Sequence, residues 1–289
     1  MLLEGSRFEI AYYSGTGCTA MVARCFCDAL IRAGGLGEAY NLSQRTGCSG
    51  LHDLLVLAFP VHAFNAPEGV YQWIKTLKPV DNIPAVVISV SGGGKMMPNT
   101  ASQVSSIKRL KKKGYDIIYD DMLVMPSNFA IATKELLALK LLEVLPDKVA
   151  EIVKTIASGV HSQTTPVWLD RFFSKLGELE KPGAHSFGKY VEITEACNGC
   201  GWCARNCSSG NISMDMKKPK YAKKCHMCLN CIYGCPMKAL MLRKYKFMII
   251  KEGFSIKQLE KKLPLTEPVD IEELTKGILW IGVKRYLQK

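Results

Sequence analysis

The chain has 289 residues, 48% of them hydrophobic and 22% charged, an ordinary globular composition long enough for two domains with a sizeable core. No apolar stretch approaches the length needed to span a bilayer, and the first ten residues run straight into a strand pattern without a signal-peptide layout, so a cytoplasmic protein is expected. The net charge of +12 is uneven: residues 1–160 carry 16 basic and 14 acidic side chains, whereas 161–289 carry 22 and 12.

Phe8 to Tyr13 is a short apolar run, Ser14 to Thr19 (SGTGCT) is a turn rich in glycine and hydroxyls, and Ala20 to Ile31 reads as a helix. Strand, loop and helix in that order suit an anion. Ser14, Gly15, Thr16, Gly17, Cys18 and Thr19 offer backbone N–H groups and hydroxyls, and a helix amino end favours negative charge. The loop has no lysine, which argues against a P-loop nucleotidase. The alternative is a tight turn without a ligand. Cys18 reads as a provider of backbone N–H, and Cys25 and Cys27 as small core residues.

Gly37 to Leu42 is an edge-strand candidate. Leu54 to Phe59 (LLVLAF) and Ala85 to Val90 (AVVISV) are buried-strand runs separated by a helical pattern from Glu68 to Leu77. A helix over Ala101 to Lys113 leads into a further strand, Asp116 to Met122, and Glu135 to Ser158 is a helical region expected to be interrupted at Pro146. Together these predict a five-stranded doubly wound parallel sheet, with the loops after strands one, three and four at one carboxyl edge. Met125 to Phe129 (MPSNF) falls at that edge too, either closing a pocket or merely turning at Pro126.

These residues resemble the flavodoxin family, which binds the phosphate of FMN in a loop of the form T/S-x-T-G-N-T; here Cys18 replaces the asparagine. The resemblance implies strand order 2-1-3-4-5 and FMN as cofactor. It also implies that the segments Pro60, Val61, His62, Ala63, Phe64 and Ser91, Gly92, Gly93, Gly94 bracket the flavin ring. Stacking would fall to His62 or Phe64, and the three glycines would let backbone donors approach the ring.

Residues 161–188 contain Pro166, Pro182 and Gly183 and a helical stretch with Trp168, Phe172, Phe173, Leu176 and Leu179 roughly on one face, read as a linker that packs between domains. Beyond it stand eight cysteines. Cys197, Cys200, Cys203 and Cys207 form C-x2-C-x2-C-x3-C, and Cys225, Cys228, Cys231 and Cys235 repeat it 28 positions later. Structural zinc is the alternative to iron, although it prefers ligands in two separated pairs. The doubled run resembles that of bacterial two-cluster ferredoxins, which implies two [4Fe-4S] clusters with crossed ligation. Cys197, Cys200, Cys203 and Cys235 would hold one, and Cys225, Cys228, Cys231 and Cys207 the other. Ser208 stands where those ferredoxins usually have proline. Strands are expected at Tyr190 to Thr194 and Leu240 to Lys244, with Ile212 to Met216 pairing between them.

Ser255 to Gln258 and Asp270 to Glu273 match helix-capping patterns, and the last helix carries Ile278, Leu279, Trp280 and Ile281, expected to dock on the protein. The domain reading is therefore 1–160, a packed linker at 161–188, a cluster domain at 189–245 and a helical extension at 246–289. The whole order is similar to flavodoxin and ferredoxin fusion proteins of anaerobes. It implies an electron carrier in a reducing cytoplasm, without a catalytic acid or base, that relays low-potential electrons to a redox partner, an acidic protein given the basic second half. The alternatives are a flavin-dependent reductase of a small organic substrate and a redox-sensing nucleic-acid binder. Lys108 to Lys113 and Lys217 to Lys224 read as solvated faces, because Tyr221 stands alone where a stacking platform needs several aromatics, so nucleic acid is not expected as a partner.

Overall fold

The computed structural model describes residues 3–45, 47–48, 50–165, 168, 170, 172 and 181–288. Five strands, β1 (Arg7–Tyr12), β2 (Leu36–Asn41), β3 (Leu54–Pro60), β4 (Ile83–Ser91) and β5 (Tyr115–Val124), form one parallel sheet in the order 2-1-3-4-5. That is the flavodoxin-like doubly wound order. Helices cover both faces, which is why β3 and β4 are nearly continuous apolar runs.

On one face α1 (Cys18–Arg32) and α4 (Glu135–Ala157) bury Val22, Phe26, Leu142 and Val149 against Ile10, Val56 and Ile88. On the other, α2 (Glu68–Thr76) and α3 (Val104–Lys111) border a core of Leu55, Leu57, Tyr71, Ile74 and Leu110. The outer edge of β5 is not left bare: Asp120 N–H donates to Ser162 O at 3.0 Å, and Ser162 N–H donates to Ile118 O at 3.0 Å.

α4 runs unbroken through Pro146, where an interruption was expected. A mid-helix proline costs about 3 kcal/mol. The stripe of Leu137, Leu141, Leu142, Leu145, Val149, Ile152 and Ile156 offsets it, since each fully buried side chain contributes about 1.5–3 kcal/mol.

A cysteine-rich region with two small antiparallel sheets follows. β6 (Val191–Ile193) pairs with β9 (Leu240–Leu242), and β7 (Ile212–Asp215) pairs with β8 (Lys218–Tyr221). The expected placement of Ile212 to Met216 between the outer strands is thus replaced by a local hairpin. Its two-residue turn, Met216 and Lys217, has φ of 42° and 66°, the primed geometry that fits hairpin twist, but without the Asn-Gly signal that marks it in a sequence. Of the apolar face at 168–179, Trp168 and Phe172 are exposed and so are not interdomain core; Phe173, Leu176 and Leu179 lie outside the described residues.

The carboxyl-terminal helices dock on the sheet domain as expected. Ser255 Oγ accepts from Gln258 N–H and Asp270 Oδ1 from Glu273 N–H as caps. Val283 is buried with Val124, Leu137 and Leu141.

Candidate flavin cleft and cysteine quartets

The carboxyl edge of the sheet opens into a cleft of ≈ 780 Å³. All the residues expected around the flavin line it except Gly17 and Gly94. Those two serve packing instead. Gly17 (φ +104°) precedes α1, and a Cβ there would lie 2.7 Å from Cγ2 of Ile256; a Cβ on Gly94 (φ +78°) would lie 2.8 Å from the Gly282 carbonyl. The glycines after β4 therefore admit the carboxyl-terminal helix to the ring loop, a close approach that the sequence reading did not contain.

The loop after β1 is held from several directions. Ser14 Oγ accepts from Ala20 N–H at 3.3 Å, and Thr16 Oγ1 shares a 2.6 Å hydrogen bond with Nδ2 of Asn128, a donor the sequence reading missed. Cys18 donates its thiol to Pro126 O at 3.6 Å, and burial pushes that thiol up to about 12, so it stays protonated at neutral pH. Met125, Pro126, Ser127, Asn128 and Phe129 all line the cleft, which settles the alternatives for that segment in favour of a pocket wall.

The loop after β3 is a tight turn. His62 and Asn65 exchange backbone hydrogen bonds of 2.8 Å each, and Ala63 and Phe64 between them have φ of 44° and 61°. Non-glycine residues held there cost on the order of 1–3 kcal/mol each, and such strain concentrates at functional sites. Burial, then the neighbouring His226, pushes the His62 imidazole down to about 4, so it is neutral at pH 7.

The remaining wall of the cleft comes from Cys225 to Leu229 of the cysteine-rich region. A Cβ added to Gly15 would lie 2.7 Å from the Cβ of Cys228. Beside it, the fully buried Tyr13 hydroxyl sits 2.8 Å from Ser208 Oγ and 3.0 Å from His226 Nδ1. Tyr233 adds a second tie, donating its hydroxyl to Asn128 O at 2.9 Å and accepting from Ile250 N–H at 2.8 Å.

The eight cysteines fall into two groups by position. Cys207, Cys225, Cys228 and Cys231 line one small cavity, and Cys197, Cys200, Cys203 and Cys235 another. The fourth cysteine of each run thus sits with the first three of the other. Backbone N–H groups of Asn211, Met227 and Ala239 donate to the sulfurs of Cys207, Cys225 and Cys235 at 3.2, 3.4 and 3.4 Å. Burial, with Cys228 and Cys207 as added negative neighbours, pushes the Cys225 thiol up to about 11, so four thiolates this close need a cation to be stable together. Soft sulfur ligands with N–H donors fit an iron-sulfur cluster. Cys200 is exposed and the other seven are partly buried.

No family model matches the sequence, and no curated protein matches it. Among solved structures the chain is similar to the two-electron reduced flavodoxin of Megasphaera elsdenii, at 21% identity over 40% of this chain and 85% of that one, with a TM-score of 0.35. It is also similar to oxidised Flavodoxin 1 (14% identity, 52% of this chain and 98% of that one, TM-score 0.39) and Flavodoxin 2 (14%, 53% and 99%, TM-score 0.40) of Bacillus cereus.

Proposed function

We propose that this protein is an electron-transfer iron-sulfur flavoprotein, with FMN in the cleft and a [4Fe-4S] cluster on each crossed quartet. The observation that carries the reading is the shared wall: the loop of Cys225 to Leu229 lines both the cleft and one quartet's cavity. When bound, FMN takes one or two electrons and each cluster takes one. Ser14, Thr16 and the N–H groups at the start of α1 hold the phosphate, while the His62–Asn65 turn and Ser91 to Gly93 frame the ring. Gly15 lets Cys228 approach the phosphate loop to van der Waals contact.

The quartet of Cys197, Cys200, Cys203 and Cys235 is the outer station, because Cys200 is exposed and none of the four lines the cleft. Around it a Cβ on Gly199 would lie 2.7 Å from Lys217, at the tip of the β7–β8 hairpin, with the exposed Lys218 and Lys220 on the same hairpin. Positive charge at that end suits an acidic redox partner.

A second reading, a reductase of a small organic substrate fed by the clusters, has one observation in its favour. Beyond the flavin loops the cleft extends to Phe247, Met248, Leu279 and Trp280, an apolar annex. Anaerobically prepared protein tests the first reading: about eight irons and one FMN per chain are expected. Zinc in place of iron, or bound FAD, would overturn it, and substrate-dependent flavin reoxidation would favour the second reading.

A further inference from the structure

On the α2 side of the sheet, outside the flavin cleft, β1 carries one buried charged side chain, Glu9. It meets two residues of the connection between β2 and β3. One ligand atom each from the Glu9 carboxylate, the Cys48 thiol and the His52 imidazole lie within 4.8 Å of one another. Glu9 and His52 are each only 4% exposed, and none of the three lines the cleft or either cysteine quartet's cavity.

The neighbours of this trio are arranged as supports. Tyr40 donates its hydroxyl to Glu9 Oε2 at 3.0 Å, and Arg45 stands 4.0 Å from Glu9 Oε1 while pairing with Glu38 at 2.7 Å. His52 Nε2 lies 3.2 Å from the Tyr115 hydroxyl, and the two rings stack at 5.9 Å. The other nitrogen, His52 Nδ1, is buried with no hydrogen-bond partner among the described residues. A buried imidazole nitrogen left so is costly, and a metal ion held with the nearby thiol and carboxylate would satisfy it.

We propose that Glu9, Cys48 and His52 form a zinc site, separate from the redox centres, that fastens the β2–β3 connection to β1. One thiolate, one imidazole and one carboxylate form a donor set that zinc takes in tetrahedral geometry. Ligation through Nδ1 leaves Nε2–H to donate to the Tyr115 hydroxyl, the outer hydrogen bond that orients metal-bound histidines. Thiolate and carboxylate together neutralise the dication, so the buried site carries no net charge, and the proton of the Cys48 thiol leaves to solvent on binding. Cys48 is only partly buried, which gives the ion an entry and leaves the fourth position to water.

The test uses the full chain with both clusters and FMN loaded anaerobically, incubated with zinc chloride and gel-filtered. Retention of about one zinc per chain is expected, with an X-ray absorption spectrum showing one sulfur and two or three nitrogen or oxygen neighbours. Cys48→Ser and His52→Ala should each lower retained zinc at least tenfold while iron and flavin contents stay unchanged. No retained zinc, an all-sulfur shell, or variants that retain as much zinc as the unaltered protein would overturn the site. If the variants lose iron and flavin as well, the sulfur count around zinc in the unaltered protein decides alone.

Discussion

The Tyr13 hydroxyl and Ser208 Oγ stand 2.8 Å apart across 195 residues of chain, joining the end of β1 to the residue that follows the first cysteine run. His226 Nδ1 shares the same hydroxyl at 3.0 Å. Replacing Tyr13 with Phe leaves two partners unsatisfied in a buried junction, a loss of about 1–3 kcal/mol. Ser208→Ala should cost less, and the two effects should fall short of additivity by about 0.5–1.5 kcal/mol in a double-mutant cycle. Anaerobic urea unfolding followed by tryptophan fluorescence measures this; strict additivity would mean the bond contributes nothing.

The proposed crossed ligation predicts a crossed phenotype. Cys207→Ala should damage the cluster of Cys225, Cys228 and Cys231 and spare the one held by Cys197, Cys200 and Cys203, and Cys235→Ala should do the reverse. Electron paramagnetic resonance of the reduced variants, with iron counts falling from about eight toward four, reads the outcome. Damage confined in each variant to the cluster of its own run would refute the assignment.

His62 gives a pH signature. Its folded value, pushed down to about 4 by burial, lies below the ordinary value of 6.5, so between those limits the unfolded chain binds a proton that the folded protein refuses. Stability contributed by this group is intact above pH 6.5 and falls as pH drops toward 4, by on the order of 1–3 kcal/mol. Urea midpoints across that window should decline less steeply for His62→Asn than for the unaltered protein. Equal slopes would show that His62 is not the group responsible.

Salt should separate external from internal transfer. Exposed charges are screened beyond roughly 8 Å at physiological ionic strength. Raising salt, or reversing Lys217 to Glu, should therefore slow reduction by a separate acidic ferredoxin. The internal step between clusters and flavin, fixed by the Tyr13 and Tyr233 ties, should keep its rate in stopped-flow records. Slowing of both steps alike would mean that the two regions are not firmly joined.

What was legible in the sequence had a short-range signal. The turn SGTGCT between β1 and α1, the grouping of the two cysteine runs and the apolar strand runs each show within a few residues, and the helices capped at Ser255 and Asp270 do so as well. What was not legible arises between distant residues. Tyr13 looked like the last residue of a strand, and its role appears only when His226, 213 positions away, is brought to it. The β7–β8 hairpin was missed because Met216 and Lys217 are unusual occupants of a turn that needs φ > 0 at both positions. The break expected at Pro146 was a local rule overruled by the burial of one continuous leucine-rich stripe.

If FMN and clusters sit as proposed, the contact of Gly15 with Cys228 ties the lifetimes of the two kinds of redox centre together. On the proposed assignment, the loop that carries Cys225, Cys228 and Cys231 takes its shape from the iron it holds, and that loop is also the floor on which the flavin rests. Flavin loading then follows cluster insertion during biosynthesis, and exposure to air that strips the inner cluster releases the yellow cofactor too. A preparation that has bleached from brown should turn colourless after desalting, not yellow.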